Sequence, residues 1–352
     1  MEECNQNTYC KVYKKKLIDN LLKVKEITNK KIIAVVKGNA YGLGIVEVSK
    51  TIEDYIDMYA VSSIREADLI QTNKDILIMN PICTIPNKPK ENYVYTIDSI
   101  KDLNLFNLEY NYRVNIYLNS GMNRLGLSLE EIDYIIKIIN LKFKNIKVEG
   151  IYTHLHNASD IKQTKKQIDL LRESYIRYKD NIEYFHCLNS KGVVNTTLNN
   201  YADFTNAVRV GNIIYGLYGQ EYGFKRAYEF NARVCKIYSV SKNNYIGYGS
   251  KHKVKKDTKV GIIEIGTIDK LGFKRDSKPT FLKDFLRLLR NIFFKRSFIS
   301  FEGEEIYELC EPNMNCTLID ISHIPTAPDS SLKVNLNISP IQADSSIEKI
   351  YY

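Results

Sequence analysis

The chain has 352 residues, of which 44% are hydrophobic, and its formal net charge at pH 7 is +9. This length and apolar content allow a large buried core and favour two domains. No apolar run approaches the ~18 residues of a transmembrane helix, and the acidic start MEECNQNTYC is not typical of a signal peptide. Residues 251–296 hold 14 Lys and Arg against 5 Asp and Glu, so the net charge resides in this segment. We therefore expect one basic patch and no nucleic-acid partner.

Seven cysteines are scattered along the chain, at positions 4, 10, 83, 187, 235, 310 and 316, without CxxC spacing. An odd number with irregular spacing argues against a disulfide framework and against a structural zinc site. We expect reduced thiols, no bound metal and a cytoplasmic protein.

Eight short apolar segments up to about residue 210 predict β-strands, and amphipathic stretches separate them. The predicted strands are Ile32–Val36, Tyr59–Ser62, Asp75–Met79, Tyr93–Thr96, Val114–Leu118, Val148–Tyr152, Tyr184–Leu188 and Thr205–Val208. In the clearest helix, Ser128 and Glu131 form a capping box before one face of isoleucines. This alternation favours an α/β fold with an N-terminal (β/α)8 TIM barrel, and a doubly wound open sheet is the alternative.

From about residue 226 the pattern changes to β-rich runs with short separations, namely ARVCKIYSVS, KVGIIEIGTI and CTLIDIS. These runs predict a mostly-β C-terminal domain. We assign residues 1–225 to the barrel and 226–352 to the second domain. As an alternative, about the first ten residues pack with the second domain. Within it, residues 279–296 combine apolar residues at helical spacing with lysines and arginines, which predicts an inserted basic amphipathic helix. We favour local packing of this helix over contact with an anionic membrane surface.

The stretch KIIAVVKGNAYGLG, residues 31–44, places a lysine directly after a buried strand. Gly38, Gly42 and Gly44 allow a tight turn there, at the end of the strand where α/β barrels carry their chemistry. A lysine that only ends a strand is the alternative to one that forms a Schiff base, which requires a desolvated amine of lowered pKa. Further polar residues follow other predicted strands: Arg124, His154, Asn189 with Ser190, and Arg209. Their convergence on one rim of the barrel favours a site.

The motif AVVKGNAYGLG resembles the pyridoxal-phosphate lysine motif of the alanine racemase family. The resemblance continues in order through NSGMNRLGLS, GIYTHLHNASD, FHCLNSKG, AVRVGNIIYGLYG, YIGYGSKHKV and MNCTLIDIS, over nearly the whole chain. It implies a barrel followed by a β domain, pyridoxal 5'-phosphate as cofactor, and a homodimer with shared active sites. The implied reaction interconverts L- and D-alanine. Racemisation of serine or of a broader set of amino acids is one alternative, and a non-catalytic cofactor-binding paralogue is another.

The resemblance also implies a role for each site residue. Lys37 would bind the cofactor and act as one base, and Tyr248 of the partner subunit would act as the opposite base. Racemisation needs two such groups because a proton leaves one face of Cα and another returns to the opposite face. A phenol ordinarily ionises near pH ~10, so positive charges on His154 and Arg124 are expected to help it accept a proton. The resemblance implies cofactor contacts from Tyr41, His154, Ser190, Arg209, Gly211, Asn212 and Tyr351, and substrate contacts from Arg124 and Met314.

Four features depart from the family pattern. Tyr117 stands where many members have a carbamylated lysine, and Asn119 and Asn123 replace an aspartate and a glycine around the substrate-side arginine. Asn315 replaces an aspartate, and GTIDKLG, residues 266–272, replaces GYADG. These departures spare the implied bases and cofactor contacts but alter the substrate side, which leaves the substrate open.

Overall fold

The computed structural model describes residues 7–79, 84–86, 88–250, 252–271, 297–325 and 332–352. The chain divides into two compact units. One unit is Tyr13–Ala227, and the other combines strand β1 (Thr8–Val12) with residues from Tyr228 onward. The basic helix expected at 279–296 lies outside the described residues. Within the described ranges, no helix has the length and apolar character needed to cross a membrane.

The first unit is a barrel of parallel strands. Its strands are β2 (Lys31–Val35), β3 (Met58–Val61), β4 (Ile76–Ile78), β5 (Tyr93–Ile97), β6 (Tyr112–Tyr117), β7 (Ile146–Tyr152), β8 (Tyr184–His186) and β9 (Ala207–Val210). Each strand from β2 to β7 pairs in parallel with the next, and β9 pairs in parallel with β2. Between β8 and β9, Asn206 N donates to Phe185 O at 3.1 Å and Arg209 N donates to Leu188 O at 2.9 Å, which completes the ring. All eight strands expected from the sequence are confirmed, with ends that agree to within two residues.

Helices connect these strands. They are α1 (Lys14–Ile27), α2 (Lys37–Tyr41, a single turn of left-handed backbone), α3 (Ile45–Ile52), α4 (Ile64–Asp68), α5 (Leu129–Lys142), α6 (Ile161–Tyr178), α7 (Ser190–Val194) and α8 (Thr196–Tyr201), with 3-10 turns at Glu53–Tyr55, Ile100–Leu105 and Gln220–Tyr222. The expected capping box of α5 is confirmed: Ser128 Oγ accepts from Glu131 N, and the Glu131 carboxylate accepts from Ser128 N. Ile132, Ile135 and Ile139 are buried, so the apolar face of α5 is the one that the helical period predicts.

The second unit is mostly β-structure, which confirms the second half of the expected fold class. Its strands after β1 are β10 (Tyr228–Val240), β11 (Tyr245–Ile246), β12 (His252–Lys253), β13 (Thr258–Ile263), β14 (Ile299–Phe301), β15 (Glu304–Ile306), β16 (Thr317–Asp320), β17 (Lys333–Leu336) and β18 (Glu348–Tyr351). The long strand β10 pairs antiparallel with β1, β13 and β17, and β1 pairs in parallel with β18. Short 3-10 turns lie at Tyr248–Ser250 and Thr267–Asp269.

Candidate active site

A cavity of ≈ 350 Å³ lies at the carboxyl ends of the barrel strands. It brings together the barrel residues expected from the sequence, namely Lys37, Tyr41, Arg124, His154, Asn189, Ser190, Arg209, Gly211 and Asn212. All of its lining residues belong to the barrel unit. The remaining expected site residues, Tyr248, Met314 and Tyr351, lie in the β-rich unit.

Lys37 begins a turn of left-handed backbone. Residues 38–41 all have positive φ, between +52° and +64°, and three of them are not glycine. This conformation costs a non-glycine residue about 1–2 kcal/mol, so the turn needs compensating contacts. Hydrogen bonds at both ends supply them: Ala40 N donates to Val36 O at 2.8 Å, and Ile45 N donates to Asn39 Oδ1 at 2.8 Å. A strained turn directly after a lysine is typical of a functional site.

Glu66 holds the start of this turn, and the sequence reading did not identify it. Its carboxylate accepts from Gly38 N at 2.6 Å, from Asn39 N at 3.2 Å and from Ser62 N at 2.9 Å. Burial acts to raise the pKa of Glu66, but the hydrogen bonds from Ser62, Asn39 and Gly38 outweigh it and the pKa is lowered. Glu66 is therefore an ionised carboxylate. The sequence offered one indication of a structural role for Glu66: it lies three residues after Ser63, the N-cap of α4, in the spacing of a capping box.

The electrostatic surroundings of Lys37 favour its neutral amine. Burial is the largest cause that lowers the pKa of Lys37, and the positive charges of Arg124 and Arg209 lower it further, against the opposing effect of Glu66. The neutral amine is the form that attacks a carbonyl carbon. The lowered pKa therefore brings Lys37 closer than an ordinary lysine to the state that covalent attachment to an aldehyde requires.

Arg209 is buried and anchored beneath the cavity. Its guanidinium donates to Thr153 O at 2.7 Å, to His186 O at 3.2 Å and to His186 Nδ1. The guanidinium carbon also lies 4.7 Å from the centre of the Tyr152 ring, a cation–π contact. These contacts fix the position of a permanent positive charge in the floor of the site.

The contact with Arg209 also determines which ring nitrogen of His186 carries the proton. Burial and the charge of Arg209 lower the pKa of His186 well below its usual value, so the ring is neutral. Because Nδ1 accepts from Arg209, the proton is on Nε2, and this N–H must donate to the nearby amide of Asn115. The amide oxygen of Asn115 therefore faces the ring, which also satisfies a buried oxygen that otherwise has no partner among the described residues. Gly150 leaves room for this amide, since a Cβ there would lie 2.9 Å from Asn115 Cγ.

His154 lies in a strongly cationic environment. Burial, and then the charges of Arg209, Arg124 and Lys37, lower the pKa of His154 to about 3. The ring is neutral at neutral pH, so the expectation that His154 supplies a positive charge is wrong. Of the two cations expected to assist the opposing base, Arg124 alone remains charged. The sequence could not show this, because the effect depends on the burial of the ring and on three basic residues that come together in space.

Tyr41, Ser190, Gly211 and Asn212 line the cavity near the ends of β8 and β9. Ser190 Oγ accepts from Gly211 N at 3.1 Å, and burial raises the pKa of Tyr41 to about 12, so its hydroxyl keeps a proton to donate. A Cβ on Gly211 would lie 2.5 Å from the Tyr41 hydroxyl, so the two groups approach as closely as glycine permits. Hydroxyls and backbone amides in this arrangement suit a phosphate group.

The charged residues that line the cavity are all basic. Its lining contains Lys37, Arg124, Lys191 and Arg209, and no aspartate or glutamate is among the described residues that line it. With His154 neutral and the pKa of Lys37 lowered, Arg124, Lys191 and Arg209 supply most of the charge of the site. A cavity of this composition selects an anionic ligand.

The loop that carries Arg124 is braced by two of the departures from the family pattern. Asn119 Oδ1 accepts from Gly121 N at 3.2 Å and from Asn123 N at 3.0 Å, and Asn119 Nδ2 donates to Asn123 Oδ1 at 3.1 Å. Asn123 has φ +53°, a left-handed conformation that asparagine tolerates better than most residues. The two substitutions therefore form one hydrogen-bonded unit that presents Arg124.

Tyr117 occupies the expected carbamate position with an aromatic ring. It is buried and stacks on Tyr152, with ring centroids 5.0 Å apart and an interplanar angle of 22°. Tyr152 in turn stacks on His186 at 5.0 Å and 5°. Stacked rings, instead of an anion, support the cavity at this position.

In the β-rich unit, Tyr248 and Met314 are 85% and 67% exposed. Tyr248 stands between Gly247 and Gly249, which have φ of +76° and +72°. The main chain at Met314 is held by the segment that replaces GYADG: Ile268 N donates to Met314 O at 3.0 Å, and Thr267 N donates to Asn313 O at 2.9 Å. Tyr351 lies in β18, opposite Val12 of β1.

A model of the alanine racemase N-terminal domain matches residues 12–219, more than half of the chain. The chain belongs to the alanine racemase family. Members of this family are isomerases that use pyridoxal phosphate, and this chain is an isomerase.

Individual members of the alanine racemase family show the same relationship. An alanine racemase of Aquifex pyrophilus is 29% identical over 321 residues, which cover 88% of this chain and 84% of that protein. The structure of an alanine racemase from Clostridium difficile 630 matches the fold with a TM-score of 0.83 at 21% identity, over 99% of this chain and 97% of that chain. An alanine racemase from Bartonella henselae has covalently bound pyridoxal phosphate, and it matches with a TM-score of 0.76 at 19% identity, over 99% of this chain and 100% of that chain.

Proposed function

We propose that the protein is a pyridoxal-phosphate-dependent racemase that interconverts L- and D-alanine. One observation carries the proposal: a lysine of lowered pKa stands in a cavity that is also lined by Arg124, Lys191 and Arg209 and by no described acidic residue. The cofactor carries a phosphate and the amino acid carries a carboxylate, and both match this charge. The residues present therefore fit the cofactor.

The cofactor would be held at three points: its aldehyde carbon, its phosphate and its pyridine nitrogen. Lys37 would bind it covalently. Its phosphate would accept hydrogen bonds from the hydroxyls of Tyr41, Ser190 and Tyr351 and from the backbone amide of Asn212. Gly211 would lie beside the phosphate, and its amide, which donates to Ser190 Oγ, would either orient that hydroxyl or turn to the phosphate. When bound, pyridoxal phosphate supplies an electron-withdrawing ring that stabilises negative charge on Cα of the amino acid.

Arg209 would face the pyridine nitrogen. Burial lowers the pKa of Arg209, but a guanidinium stays protonated at neutral pH and can only donate a hydrogen bond. Its anchors on Thr153 and His186 hold it in place. Arg209 would therefore orient the ring without transferring a proton to it, which limits the electron withdrawal to what racemisation needs.

Two bases would exchange the protons at Cα. Lys37 would act on one face, and Tyr248 of the partner subunit on the other. Arg124 would bind the substrate carboxylate, and the neutral His154 would contact the cofactor. The high exposure of Tyr248 and Met314 in one chain supports a homodimer, since large exposed apolar side chains suit an interface. The free Cys10, Cys187, Cys235, Cys310 and Cys316 support a cytoplasmic location.

The test combines a spectroscopic and a chiral assay. The purified protein, reconstituted with pyridoxal phosphate, should show the yellow band of a lysine-bound cofactor, should be fixed by borohydride, and should convert L-alanine to D-alanine. Lys37→Ala should lose the borohydride-stable link and racemisation together. Lys191→Ala, which removes another lysine of the same cavity, should keep the link. Cofactor binding without racemisation of any amino acid would instead identify a non-catalytic paralogue.

A further inference from the structure

Glu66 is bonded to the turn that begins at Lys37, but it does not line the cavity and has no part in the proposed reaction. It belongs to α4, which follows strand β3, and it reaches a segment 28 positions earlier in the chain. We call that segment, residues 37–42, the Lys37 turn. An ionised carboxylate that contacts this turn from outside the cavity raises the question of what it contributes to the site.

The sequence position of Glu66 is that of an ordinary helix-capping residue. In the described part of the barrel, three N-cap serines are each followed three residues later by an acidic residue: Ser63 by Glu66, Ser99 by Asp102 and Ser128 by Glu131. In the last two pairs the carboxylate returns to the N–H of its own N-cap serine, at 3.0 Å and 2.8 Å. The carboxylate of Glu66 accepts instead from Ser62, the residue before its N-cap, and from the Lys37 turn. Helix capping therefore does not account for the direction of this side chain.

Each carboxylate oxygen of Glu66 is bonded to the end of a different strand. Oε1 accepts from Gly38 N at 2.6 Å and from Asn39 N at 3.2 Å, just after β2. Oε2 accepts from Ser62 N at 2.9 Å and from Ser62 Oγ at 2.6 Å, directly after β3. Since β2 and β3 are paired neighbours in the barrel, Glu66 ties the Lys37 turn to the end of the adjacent strand.

The first N–H groups of a short helical turn have no main-chain acceptor within it. In the Lys37 turn, Ala40 N donates to Val36 O at 2.8 Å, whereas the amides of Gly38 and Asn39 are paired with Glu66. Gly38 and Asn39 are exposed, and a Cβ at Gly38 would meet no described atom within 4 Å. Packing therefore contributes little at this end, and the hydrogen bonds to Glu66 hold the start of a turn whose residues 38–41 all have positive φ.

The two ends of the Lys37 turn carry two side chains that the proposed function assigns to the cofactor. Lys37 would bind the aldehyde carbon, and Tyr41 would donate to the phosphate. The hand of the turn determines where these side chains point, because a right-handed turn of the same residues would direct them differently. A ligand that is held at both ends binds best when the two contacts are already at the right separation.

We propose that Glu66 is a positioning residue for the cofactor: it holds the Lys37 turn in its left-handed form and so fixes the separation between the Lys37 amine and the Tyr41 hydroxyl. Glu66 acts through the main chain of the turn and touches neither cofactor nor substrate. The proposal rests on the proposed function, since it concerns the binding of the same cofactor.

The test compares the binding of two ligands to the apoprotein, pyridoxal phosphate and pyridoxal, which has the aldehyde but lacks the phosphate. Glu66→Met removes both acceptor oxygens at similar size. The Kd for pyridoxal phosphate should rise by about tenfold, the lower end of what one hydrogen bond to a charged group supplies. The Kd for pyridoxal should rise less, because pyridoxal has no phosphate for Tyr41 to bind.

The matched control is Glu131→Met, the same change at the same position of another helix with a serine N-cap. It should lower the thermal stability and leave both Kd values unchanged. Ser62→Ala removes one of the four hydrogen bonds of Glu66 without altering the turn, so it should raise the Kd for pyridoxal phosphate by a smaller factor. This milder variant provides the same comparison if Glu66→Met does not fold.

Two further measurements separate positioning from a general loss of structure. In the Tyr41→Phe background, Glu66→Met should raise the Kd for pyridoxal phosphate no more than it raises that for pyridoxal. The visible circular dichroism of the bound cofactor, measured at saturation, reports how firmly the site orients the ring. It should fall in Glu66→Met and stay unchanged in Glu131→Met.

Three outcomes would overturn the inference while the proposed function stands: equal losses for both ligands, a loss in Glu66→Met no larger than in Glu131→Met, or full additivity of Glu66→Met and Tyr41→Phe. The proposed function is tested separately, in the unaltered protein. Binding of pyridoxal phosphate there without racemisation of alanine would refute the proposed function and leave the role of Glu66 in binding intact.

Discussion

Replacement of Gly211 by alanine tests the contact between the barrel and the cofactor phosphate. Gly211 does not have a left-handed φ, so alanine introduces no backbone strain and acts only through its methyl group. That methyl carbon would lie 2.5 Å from the Tyr41 hydroxyl, where ordinary contacts begin near 3.4 Å. The hydroxyl must therefore move by about 0.9 Å, more than a hydrogen bond to phosphate tolerates.

The Tyr41 ring has little freedom to accommodate this change. It lies 4.8 Å from the ring of Tyr215, which is fully buried and donates its own hydroxyl to Val35 O at 3.0 Å. We expect Gly211→Ala to remove the contribution of Tyr41 to phosphate binding. A hydrogen bond to a charged group contributes about 1.5–3 kcal/mol, so the Kd for pyridoxal phosphate should rise about 10- to 150-fold.

The measurement is a titration of apoprotein with pyridoxal phosphate, followed by absorbance. Tyr41→Phe is the matched control, because it removes the hydroxyl from both the clash and the phosphate contact. It should weaken binding by a similar factor. Gly211→Ala should then cost less in the Tyr41→Phe background than alone, although the ring carbons Cζ and Cε2 remain 3.0 and 3.2 Å from the new methyl carbon. An unchanged Kd for Gly211→Ala, or fully additive losses in the double variant, would refute the role given to this contact.

Three further predictions concern the second base, helix α5 and acid stability. Tyr248→Phe should still bind pyridoxal phosphate but racemise about 10²–10⁴-fold more slowly, and mixing it with Lys37→Ala subunits should restore some activity if each site uses two chains. Ser128→Ala should lower the free energy of unfolding by about 0.5–2 kcal/mol in urea denaturation, because the N-cap of α5 is lost. His154 has a folded pKa near 3 against an ordinary value of 6.5, so the unfolded chain binds more protons and stability falls as pH drops from 6.5 towards 3. His154→Gln should therefore reduce the difference in unfolding free energy between pH 4 and pH 7, and an unchanged difference would contradict the neutral assignment.

Local patterns in the sequence were sufficient to predict most of the fold. Each barrel strand is a short apolar run, which is the pattern typical of a parallel strand buried on both faces. The Ser128–Glu131 capping box was readable because both partners lie within one helical turn. The convergence of Lys37, His154 and Arg209 on one cavity followed from the topology of the barrel, which brings the ends of its strands to one rim.

Contacts between distant segments could not be read in this way. Glu66 holds the turn after Lys37 from a different helix, and Gln167 reaches the loop at Ser120 across 47 positions of sequence. Neither Glu66 nor Gln167 belongs to a sequence motif that predicts a contact with so distant a segment. The prediction for the charge of His154 was wrong for the same reason, because its pKa depends on the burial of the ring and then on its distances from Arg209, Arg124 and Lys37, which the sequence alone does not give.

The hydrogen bonds between Asn119 and Asn123 have a consequence for the way this loop evolves. Aspartate at position 119 would remove the donor that Asn123 Oδ1 accepts from, and glycine at position 123 would leave Asn119 Nδ2 without its acceptor. A chain with only one of these two changes would hold the loop of Arg124 less firmly. The two positions should therefore be inherited as a pair, with asparagine at both or at neither in related chains.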